Sequence, residues 1–461
     1  PTTAGHVRAE LGDAVAVGGT RRAVFAPLPK RGLVAVLDEH DASLKQWDQN
    51  PRYHARDAAA IVAREAGARL VYASETPSVV SAWRARQGLL ERFPPVVSGA
   101  TQAPVTLVDL REEYAARNFS PLSRWLEEHL ARLPLDRRGL QALLFVQRKG
   151  LAGFVRCRDC GYVPCCPACD LPLRSVQPDA SGPVGGLSSD LRCYRCGVRA
   201  LVPPVCPRCR GARFRPVGSG AQKVLTAVRQ AFPHAAVARF DADLTRAERA
   251  VVAADVRAGR VSIVVATRFG RSLPHVAPVP LVAAIAPDIT LQLPDYRAAE
   301  RTLQGMAEAR ALAGEQFVLQ TFYPAHPVYQ ALSSGDLAPF YAHEFATRQT
   351  LQYPPFGQLV RLTCAHPSAA AAQAEAVAVA DRLRRALQKS HPAITLAGPQ
   401  RSLAVVRRRQ AVWEIVLKAP WPGNARPAFP PAPSSPSGVP WATLLADVPA
   451  TWVVDVDPEE L

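Results

Sequence analysis

The sequence predicts an α/β protein with two parallel-sheet lobes, the first one partial, an inserted cysteine-rich module and a C-terminal α+β domain. Short apolar segments alternate with amphipathic ones on both sides of the cysteines, and strand–helix–strand order implies a parallel sheet. Nine of the ten cysteines fall between residues 157 and 209, which indicates one inserted module. The last part of the chain combines a long helical segment with separate strand-like segments, which is typical of an α+β domain.

Each element is predicted from its apolar pattern and its length. The first lobe has apolar segments at 32–37 and 68–74 that predict buried strands, with an amphipathic helix over 57–67 between them. The second lobe has predicted strands at 142–147, 236–240, 261–267, 281–287 and 316–322, and predicted helices at 121–133, 245–258 and 296–312. The C-terminal domain has a predicted helix over 367–389 and predicted strands at 359–364, 411–417 and 451–455.

Domain boundaries follow from this order of elements. Residues 1–118 are predicted to form the partial first lobe, 119–155 with 215–338 the second lobe, 156–214 the cysteine module, and 339–461 the C-terminal domain. Two segments rich in Gly, Pro and Ser, 175–190 and 419–440, are predicted loops.

The charge balance points to a polyanionic partner. The 461 residues carry a net charge of +16, with a pI near 9.8. No apolar run reaches the ~18 residues of a membrane-spanning helix, and no charged-then-apolar leader opens the chain. We therefore expect a cytoplasmic protein with nucleic acid, and no membrane, as its partner. The chain begins PTTAGHVRAE and its one methionine is Met306, which predicts a segment of a longer reading frame.

The cysteine spacing predicts structural zinc. Four CxxC pairs occur, namely Cys157-x2-Cys160, Cys166-x2-Cys169, Cys193-x2-Cys196 and Cys206-x2-Cys209. Eight thiolates suffice for two tetrahedral four-sulfur sites, and thiolate-only ligation favours structural zinc because a catalytic site keeps one position open. Redox CxxC motifs and iron–sulfur ligation are the less favoured alternatives. The spacing leaves open which cysteines share an ion.

The remaining two cysteines and the basic residues of the chain are predicted to have roles other than zinc binding. Cys165 would break the spacing to Cys169 and is predicted to be a bystander, and the lone Cys364 is predicted to be a small core residue. Arginines crowd the module and predict a phosphate-facing field, with a solvated basic surface as the alternative. They are Arg156, Arg158, Arg192, Arg195, Arg208, Arg210, Arg213 and Arg215. Lys223 and the run Arg407–Arg409 are further candidate phosphate contacts, with solvated surface positions as the alternative.

The motifs resemble a known family. The segments CRDCGYVPCCPACD, LRCYRCG, PPVCPRCRG and PVGSGAQKV match its zinc-binding insertion, and VGGTRRAVFAPL, LDEHDASLKQ and ASETPS match its first motor lobe. DYRAAER, LQYPPFG and WVVDVDP follow the order of its second lobe and C-terminal domain. Together they resemble the PriA family of primosomal replication restart helicases (primosomal protein N′), over essentially the whole chain.

The resemblance implies a superfamily 2 motor with two RecA-like lobes and two zinc ions. The first zinc ion would be held by Cys157, Cys160, Cys206 and Cys209, and the second by Cys166, Cys169, Cys193 and Cys196. It also implies binding to forked and single-stranded DNA, partners among primosome and helicase-loading proteins, and a cytoplasmic, nucleoid-associated location. The family's N-terminal DNA-binding domain and phosphate loop would lie before Pro1, and no G-x-x-x-x-G-K-[ST] occurs in the chain.

The acidic box departs from the family pattern D-E-E-H-D. Aligned on His40 and Asp41, the box has Leu37 where the metal-organising acid stands and Asp38 where the water-activating acid stands. Asp38, Glu39 and His40 therefore form a degenerate acidic box. The string from Asp38 to Asp41 is itself D-E-x-D, but a shift by one residue turns each side chain to the opposite face of the strand.

Three further motor motifs are altered. The third motif, G-S-A-T-P in the family, is A-S-E-T-P at 73–77, and the fifth retains only Thr267. The sixth motif region has one arginine, Arg310, in a different frame. Loss of such an arginine typically costs ~10³-fold or more in phosphoryl transfer.

The resemblance implies a replication restart protein that binds abandoned forks and promotes primosome assembly, and these departures predict that it lacks efficient helicase activity and ATP hydrolysis. An active ATP-dependent 3′–5′ DNA helicase is the alternative. A zinc-ribbon RNA-binding protein is weaker, because no aromatic stacking pattern accompanies the cysteines.

Overall fold

The structure of the chain is a computed structural model. It describes residues 6–11, 14–27, 32–93, 102–146, 155–160, 162–167, 173–175, 190–193, 198–216, 221–241, 244–267, 278–291, 293, 295–402, 410–420 and 441–459. The described residues divide into two compact units: those up to Phe93 with those from Glu344 onward, and those between. Nearly all of the two predicted loops, and Arg407–Arg409, lie outside the described residues.

The first part of the chain contains a hairpin and a short parallel sheet. Its elements are β1 (His6–Leu11), β2 (Ala14–Gly19), a 3-10 helix (Arg21–Phe25), β3 (Leu33–Leu37), a 3-10 turn (Ala42–Leu44), α1 (Ala55–Glu65), β4 (Arg69–Ala73) and α2 (Val79–Arg86). β1 and β2 pair in antiparallel fashion, and β3 and β4 pair in parallel. α1 connects the two parallel strands and contacts both.

β3 and β4 are each exposed on one face, so the predictions of buried strands at 32–37 and 68–74 were both wrong, and Val71 of β4 is 46% exposed. Leu33 and Leu37 are 59% and 71% exposed, whereas Val36 on the opposite face is 8% exposed. A parallel sheet is buried on both faces only when crossover helices cover both. Among the described residues this sheet has two strands and one crossover helix, so one face stays open.

The second unit is built on a six-stranded parallel sheet. Its strands are β5 (Val105–Asp109), β6 (Ala142–Val146), β12 (Val237–Phe240), β13 (Ile263–Ala266), β14 (Val279–Ile285) and β15 (Ala313–Thr321), in the spatial order β12-β13-β6-β14-β15-β5. Its helices are α3 (Leu110–Ala115), α4 (Arg124–Arg132), α5 (Ala221–Ala231), α6 (Arg246–Arg257), α7 (Asp288–Leu291), α8 (Ala298–Arg310) and α9 (Pro327–Ser334). The predicted parallel-sheet lobe is confirmed.

β5 was not identified from the sequence. It lies within residues 1–118, which are predicted to form the first lobe, but it pairs in parallel with β15 at the edge of this sheet, with Phe317 opposite Val105. The strand has five residues and follows a Pro-containing segment, so its apolar pattern is too short to indicate a sheet partner. The other predicted domain boundaries stay predictions.

The core of this unit lies between the sheet and two helices. Leu126 and Leu130 on α4 and Val224 and Val228 on α5 are buried at four-residue spacing and face Leu144 of β6 and its neighbours. Residues four apart lie on one face of a helix, so both amphipathic patterns direct their apolar side chains at the sheet.

The cysteine module interrupts this unit between β6 and α5. Its strands are β7 (Val155–Cys157), β8 (Arg174–Ser175), β9 (Asp190–Arg192), β10 (Arg199–Leu201) and β11 (Phe214–Pro216). β7 pairs with β11, and β8, β9 and β10 form a three-stranded antiparallel sheet in the order β10-β9-β8.

The C-terminal region is an antiparallel sheet covered by a long helix, as predicted. Its elements are α10 (Ala338–Thr350), β16 (Gly357–His366), α11 (Ala369–Ser390), β17 (Thr395–Arg401), β18 (Ala411–Pro420), α12 (Trp441–Leu444) and β19 (Val453–Val456). The strand order is β17-β18-β16-β19. Ala376, Val379, Ala380 and Leu383 of α11 pack on the sheet. In the part of the chain that the structure describes, no helix is long and apolar enough to cross a membrane.

Candidate metal centre and acidic box

Strand pairing brings the first and fourth CxxC pairs together. β7 and β11 are antiparallel, with Cys157 opposite Phe214. The backbone N–H of Arg158 donates to the carbonyl of Arg213 at 2.7 Å, which continues the ladder past β7. Cys157 ends β7, and Cys206 and Cys209 precede β11. Pairing of the two strands therefore places these thiols at the same end of the two-stranded sheet.

Four thiols form a compact cluster at that end. The Sγ atoms of Cys157, Cys160, Cys206 and Cys209 all lie within 4.8 Å of one another. Cys157 Sγ is 3.6 Å from Cys209 Sγ, and Cys160 Sγ is 3.5 Å from Cys206 Sγ. A tetrahedral site with Zn–S near 2.3 Å has sulfur–sulfur edges of about 3.8 Å. The donor set therefore fits one zinc ion, in the grouping that the family resemblance implied.

Within the described residues, the same backbone hydrogen bond recurs at three CxxC pairs. The N–H of Cys157 donates to the carbonyl of Tyr162 at 2.7 Å, and that of Cys206 to the carbonyl of Gly211 at 2.8 Å. Cys193 makes the equivalent bond to Val198 at 2.7 Å. Each bond joins residues five apart, so the described ends of the third pair are held in the same way as those of the two pairs that form the cluster.

The thiols of this cluster differ in their acidity. Burial raises the pKa of Cys157 and of Cys160. Burial acts in the same direction on Cys206, but the N–H groups of Cys209 and Arg208 and the adjacent thiols lower its pKa overall. Because zinc binds thiolates, metal binding would displace protons from Cys157 and Cys160.

The second predicted quartet is half described. Cys166 and Cys193 are each 1% exposed and belong to one apolar cluster with Leu173 and Leu191. Cys169 and Cys196 lie outside the described residues. The second zinc site therefore stays a prediction, supported by the burial of two of its cysteines and by the backbone hydrogen bond at Cys193.

Cys165 and Cys364, the two cysteines outside the quartets, each lie near a backbone carbonyl. The Cys165 thiol donates to the carbonyl of Val163 at 3.5 Å. Cys364 is 4% exposed on β16, its thiol lies 3.7 Å from the carbonyl of Ala372, and burial raises its pKa. Cys364 thus occupies a core position.

Arginines of the module fall into two groups. Arg213 is exposed and forms an ion pair with Asp159, and Arg208 and Arg210 are exposed. Arg156 is partly buried, and burial followed by the charge of Arg158 lowers its pKa to about 9, so its guanidinium is still charged at neutral pH. The side chains of Arg195 and Arg215 are outside the described residues, and Lys223 is an exposed position on α5.

The acidic box begins with a reversal of the chain. Leu37 ends β3 on its open face, and Asp38 follows in the left-handed region at φ 47° with an exposed side chain. Asp is among the few residues that tolerate this conformation. The reversal points the next residue, Glu39, inward, where it is 1% exposed.

Glu39 is held by four donors. Its Oε1 accepts from the backbone N–H of Ser78 at 2.6 Å, and its Oε2 accepts from the hydroxyls of Ser78 and Ser81 at 3.0 and 2.9 Å. Arg56 Nη1 forms an ion pair with Oε2 at 3.1 Å. This carboxylate therefore joins β3, α1 and the start of α2. Arg56, Ser78 and Ser81 could not be identified from the sequence, because none belongs to a recognisable motif.

His40 connects the box to the third motif. Its Nδ1 lies 2.6 Å from Ser74 Oγ, and the backbone N–H of Thr76 donates to the same hydroxyl at 3.1 Å. The altered third motif thus still contacts the altered box.

Thr267 of the fifth motif is buried, and Arg310 of the sixth-motif region makes hydrogen bonds within the fold. Thr267 is 4% exposed and directly follows β13, and 268–274 lie outside the described residues. Arg310 ends α8, where its Nε donates to the carbonyl of Ala103 at 2.8 Å and its Nη1 to that of Leu332 at 3.1 Å. Arg310 therefore connects three segments of its own unit.

Lys45 anchors the segment after the box to the C-terminal sheet of the same unit. It is 5% exposed, its Nζ lies 3.2 Å from Asp455 Oδ1, and it donates to the carbonyl of Val456 at 2.6 Å. Arg52 and Arg361 also contact Asp455, each at 3.3 Å. One buried carboxylate on β19 thus balances three cations.

A parallel-sheet lobe with an inserted four-thiol cluster and a C-terminal antiparallel sheet defines an α/β protein with a cysteine module that could bind a metal ion. No family model matches the sequence. The chain is similar to the replication restart protein PriA of Synechocystis sp. (34% identical over 426 residues, 89% of this chain and 50% of the relative) and of Bacillus subtilis (34% over 380 residues, 80% and 45%). The PriA of Haemophilus influenzae is 30% identical over 361 residues, 76% of this chain and 47% of the relative.

The chain belongs to the PriA family of replication restart proteins. It spans about half the length of the curated relatives it matches.

We predict that Glu39 stabilises the fold. Replacing Glu39 with Ala removes the buried carboxylate that lies 3.1 Å from the guanidinium of Arg56, which is 5% exposed, and leaves it with the half-buried Asp57 at 3.7 Å. Removing one partner of a buried ion pair costs about 3–5 kcal/mol, measurable as a lower denaturant midpoint. The control is Asp38→Asn, an exposed change at the same turn that should alter stability by no more than about 0.5 kcal/mol. Equal effects of the two variants would contradict the structural role of Glu39.

We predict that the cluster of Cys157, Cys160, Cys206 and Cys209 binds one zinc ion, and that Cys165 is not a zinc ligand. Cys160→Ala should lower the zinc content of the purified protein by about one ion per chain, because a structural site needs all four ligands. Cys165→Ser, the matched control beside the second quartet, should keep the wild-type content. The measurement is metal analysis by mass spectrometry. Iron in place of zinc, or loss of metal from the control, would refute the ligand assignment.

Proposed function

We propose that this protein binds abandoned or stalled replication forks and promotes primosome assembly and reloading of the replicative helicase, without efficient helicase activity of its own. The relatives' name, replication restart protein, supports the first part. The position of Leu37 carries the second part, because this exposed apolar side chain aligns with the metal-organising acid of the family.

DNA is the partner that the charge favours. The net charge of +16 creates a field that attracts polyanions and raises association rates. The cysteine module contributes exposed arginines, among them Arg158, Arg208 and Arg210. Phosphate contacts of this kind supply most of the non-specific affinity for DNA. We place the action of the protein on forked and single-stranded DNA in the cytoplasm, at the nucleoid, together with primosome and helicase-loading proteins.

Zinc would act by holding the module together. Cys157, Cys160, Cys206 and Cys209 would bind one ion, and Cys166, Cys169, Cys193 and Cys196 a second. A small module buries little apolar surface, and the binding energy of structural zinc contributes directly to folding. The apolar cluster around Cys157, Cys166, Cys193 and Cys206 is correspondingly small.

The arrangement of the box argues against an efficient motor. Leu37, which aligns with the metal-organising acid, has no oxygen and is 71% exposed. Arg310, the one arginine of the sixth-motif region, donates to backbone carbonyls. Phosphoryl transfer depends on a positioned Mg²⁺ and on arginines at the transferring phosphate, and several such losses multiply.

One observation favours the alternative, a working ATP-dependent 3′–5′ helicase. Asp38 has an exposed carboxylate immediately after the carboxyl end of β3, the edge at which nucleotide-binding sites of parallel sheets form. Turnover by this group would require its carboxylate to replace the acid that aligns with Leu37.

We predict preferential binding to forked DNA. A labelled fork with single-stranded arms should bind at least about tenfold more tightly than a duplex of equal nucleotide number, a difference of about 1.4 kcal/mol, because a fork lets duplex and single-strand contacts form together. Fluorescence anisotropy at fixed salt measures both. Equal affinity for fork and duplex would overturn the fork proposal.

We predict that DNA-stimulated ATP hydrolysis stays below about 1 s⁻¹, the lower end of ordinary enzyme turnover. A coupled ATPase assay with and without forked DNA tests this, with Asp38→Asn as the matched variant. Turnover above that rate which disappears in Asp38→Asn would establish the active-helicase alternative.

A further inference from the structure

The alternation of β7 separates two kinds of side chain. Val155 and Cys157 are 0% exposed and face the core of the cysteine module. Successive side chains of a strand point to opposite faces, so Arg156 lies on the other face, and Arg158 follows two residues later. The strand that supplies a thiol to the metal cluster therefore directs an arginine pair away from it.

The arginine pair lies on a group of aromatic rings. The guanidinium carbon of Arg156 is 3.4 Å from the centroid of the Tyr114 ring and 5.4 Å from that of Phe322. The guanidinium carbon of Arg158 is 5.9 Å from the centroid of Phe119. Tyr114 joins the rings, with centroid distances of 5.4 Å to Phe119 and 5.5 Å to Phe322. We call these five residues the arginine–aromatic cluster.

The described part of the protein provides no ion-pair partner for the two arginines of this cluster. Within the described residues, Arg156 Nε and Nη1 are buried and donate no hydrogen bond, and neither Arg156 nor Arg158 forms an ion pair. Nearby arginines differ, since Arg213 pairs with Asp159 and Arg111 with Asp109. Desolvated donors without acceptors are costly. An anion reaching the partly exposed Arg156 alongside the exposed Arg158 would accept hydrogen bonds from both guanidinium groups and offset part of their charge.

The exposed ring indicates which anion fits. Phe119 is 44% exposed beside Arg158, whereas Tyr114 and Phe322 are 9% and 2% exposed. Single-strand binders combine cationic groups for the backbone with open aromatic faces on which bases stack. A carboxylate of a protein partner would use the arginines but not the ring.

We propose that the arginine–aromatic cluster is a binding site for single-stranded DNA, in which Arg156 and Arg158 hold a backbone phosphate and Phe119 stacks with the adjoining base. The site rests on the proposed DNA-binding function and assigns part of it to named residues. The metal cluster would contribute indirectly, because the pairing of β7 with β11 orients the arginines.

The test compares two strands of the same length with the full 461-residue chain. One is a labelled thymidine strand of about 20 nucleotides, longer than a single-strand site of ~4–16 nucleotides, and the other an abasic strand with the same phosphates. Arg156→Gln and Arg158→Gln should each weaken binding of both strands about tenfold. Each change should also make the salt dependence shallower by about 0.7 in log K against log salt. Phe119→Ala should weaken binding of the thymidine strand and leave the abasic strand unchanged.

The matched control is Arg199→Gln, which removes one exposed arginine of the same module on β10. It should change the affinity for either strand by less than about twofold, against the loss of about tenfold expected for Arg156→Gln and Arg158→Gln. Zinc content and melting temperature check the fold of each variant, and Arg158→Gln, an exposed change, carries the test if Arg156→Gln loses zinc. Wild-type affinity in the Arg158 variant would overturn the site and leave fork binding standing. A wild-type chain that binds no DNA would overturn both proposals.

Discussion

The antiparallel pairing of β7 with β11 is the constraint on which the cysteine module depends. It joins segments about fifty residues apart and places Cys157 within 3.6 Å of Cys209. The same pairing sets the faces of β7, because residues alternate along a strand. Cys157 therefore points into the thiol cluster, whereas Arg156 points to Tyr114, with its guanidinium carbon 3.4 Å from the ring centroid. Metal ligation and the orientation of the arginine pair are two consequences of one register, and a slip by one residue would exchange them.

The acidic box illustrates how a motif can keep its place in a fold after its chemistry has changed. Glu39 still points inward, yet its carboxylate accepts from Ser78, Ser81 and Arg56 and is 1% exposed. A buried carboxylate with four donors stabilises the packing of β3 against α2, and its removal takes away the buried carboxylate that pairs with Arg56. Lys45, a few residues on, contributes in a similar way through Asp455. Segments that resemble motor motifs thus serve here as connections within one unit.

Much of the secondary structure followed from periodicity. The helices α6, α8 and α11 and the strands β6, β14 and β18 lie within a few residues of their predictions, because long apolar patterns with clear ends leave one interpretation. β5 was missed because five residues carry too little pattern, and the open face of β3 was missed because exposure depends on what covers a strand. Propensity describes a segment, whereas burial is a property of its neighbours.

The sequence by itself determined the cysteine pattern, the basic charge, the family and the loss of the aligned acid at Leu37, because these are matters of residue type and spacing. Only the tertiary structure brought Cys157 and Cys160 to Cys206 and Cys209 independently of any resemblance, since spacing alone permits several groupings. It also decided that Glu39 is enclosed by donors and that Arg156 and Arg158 lie on Tyr114 and Phe119. The physical reason is that these contacts join residues far apart in the chain, and no local pattern encodes which distant side chains a folded register will bring together.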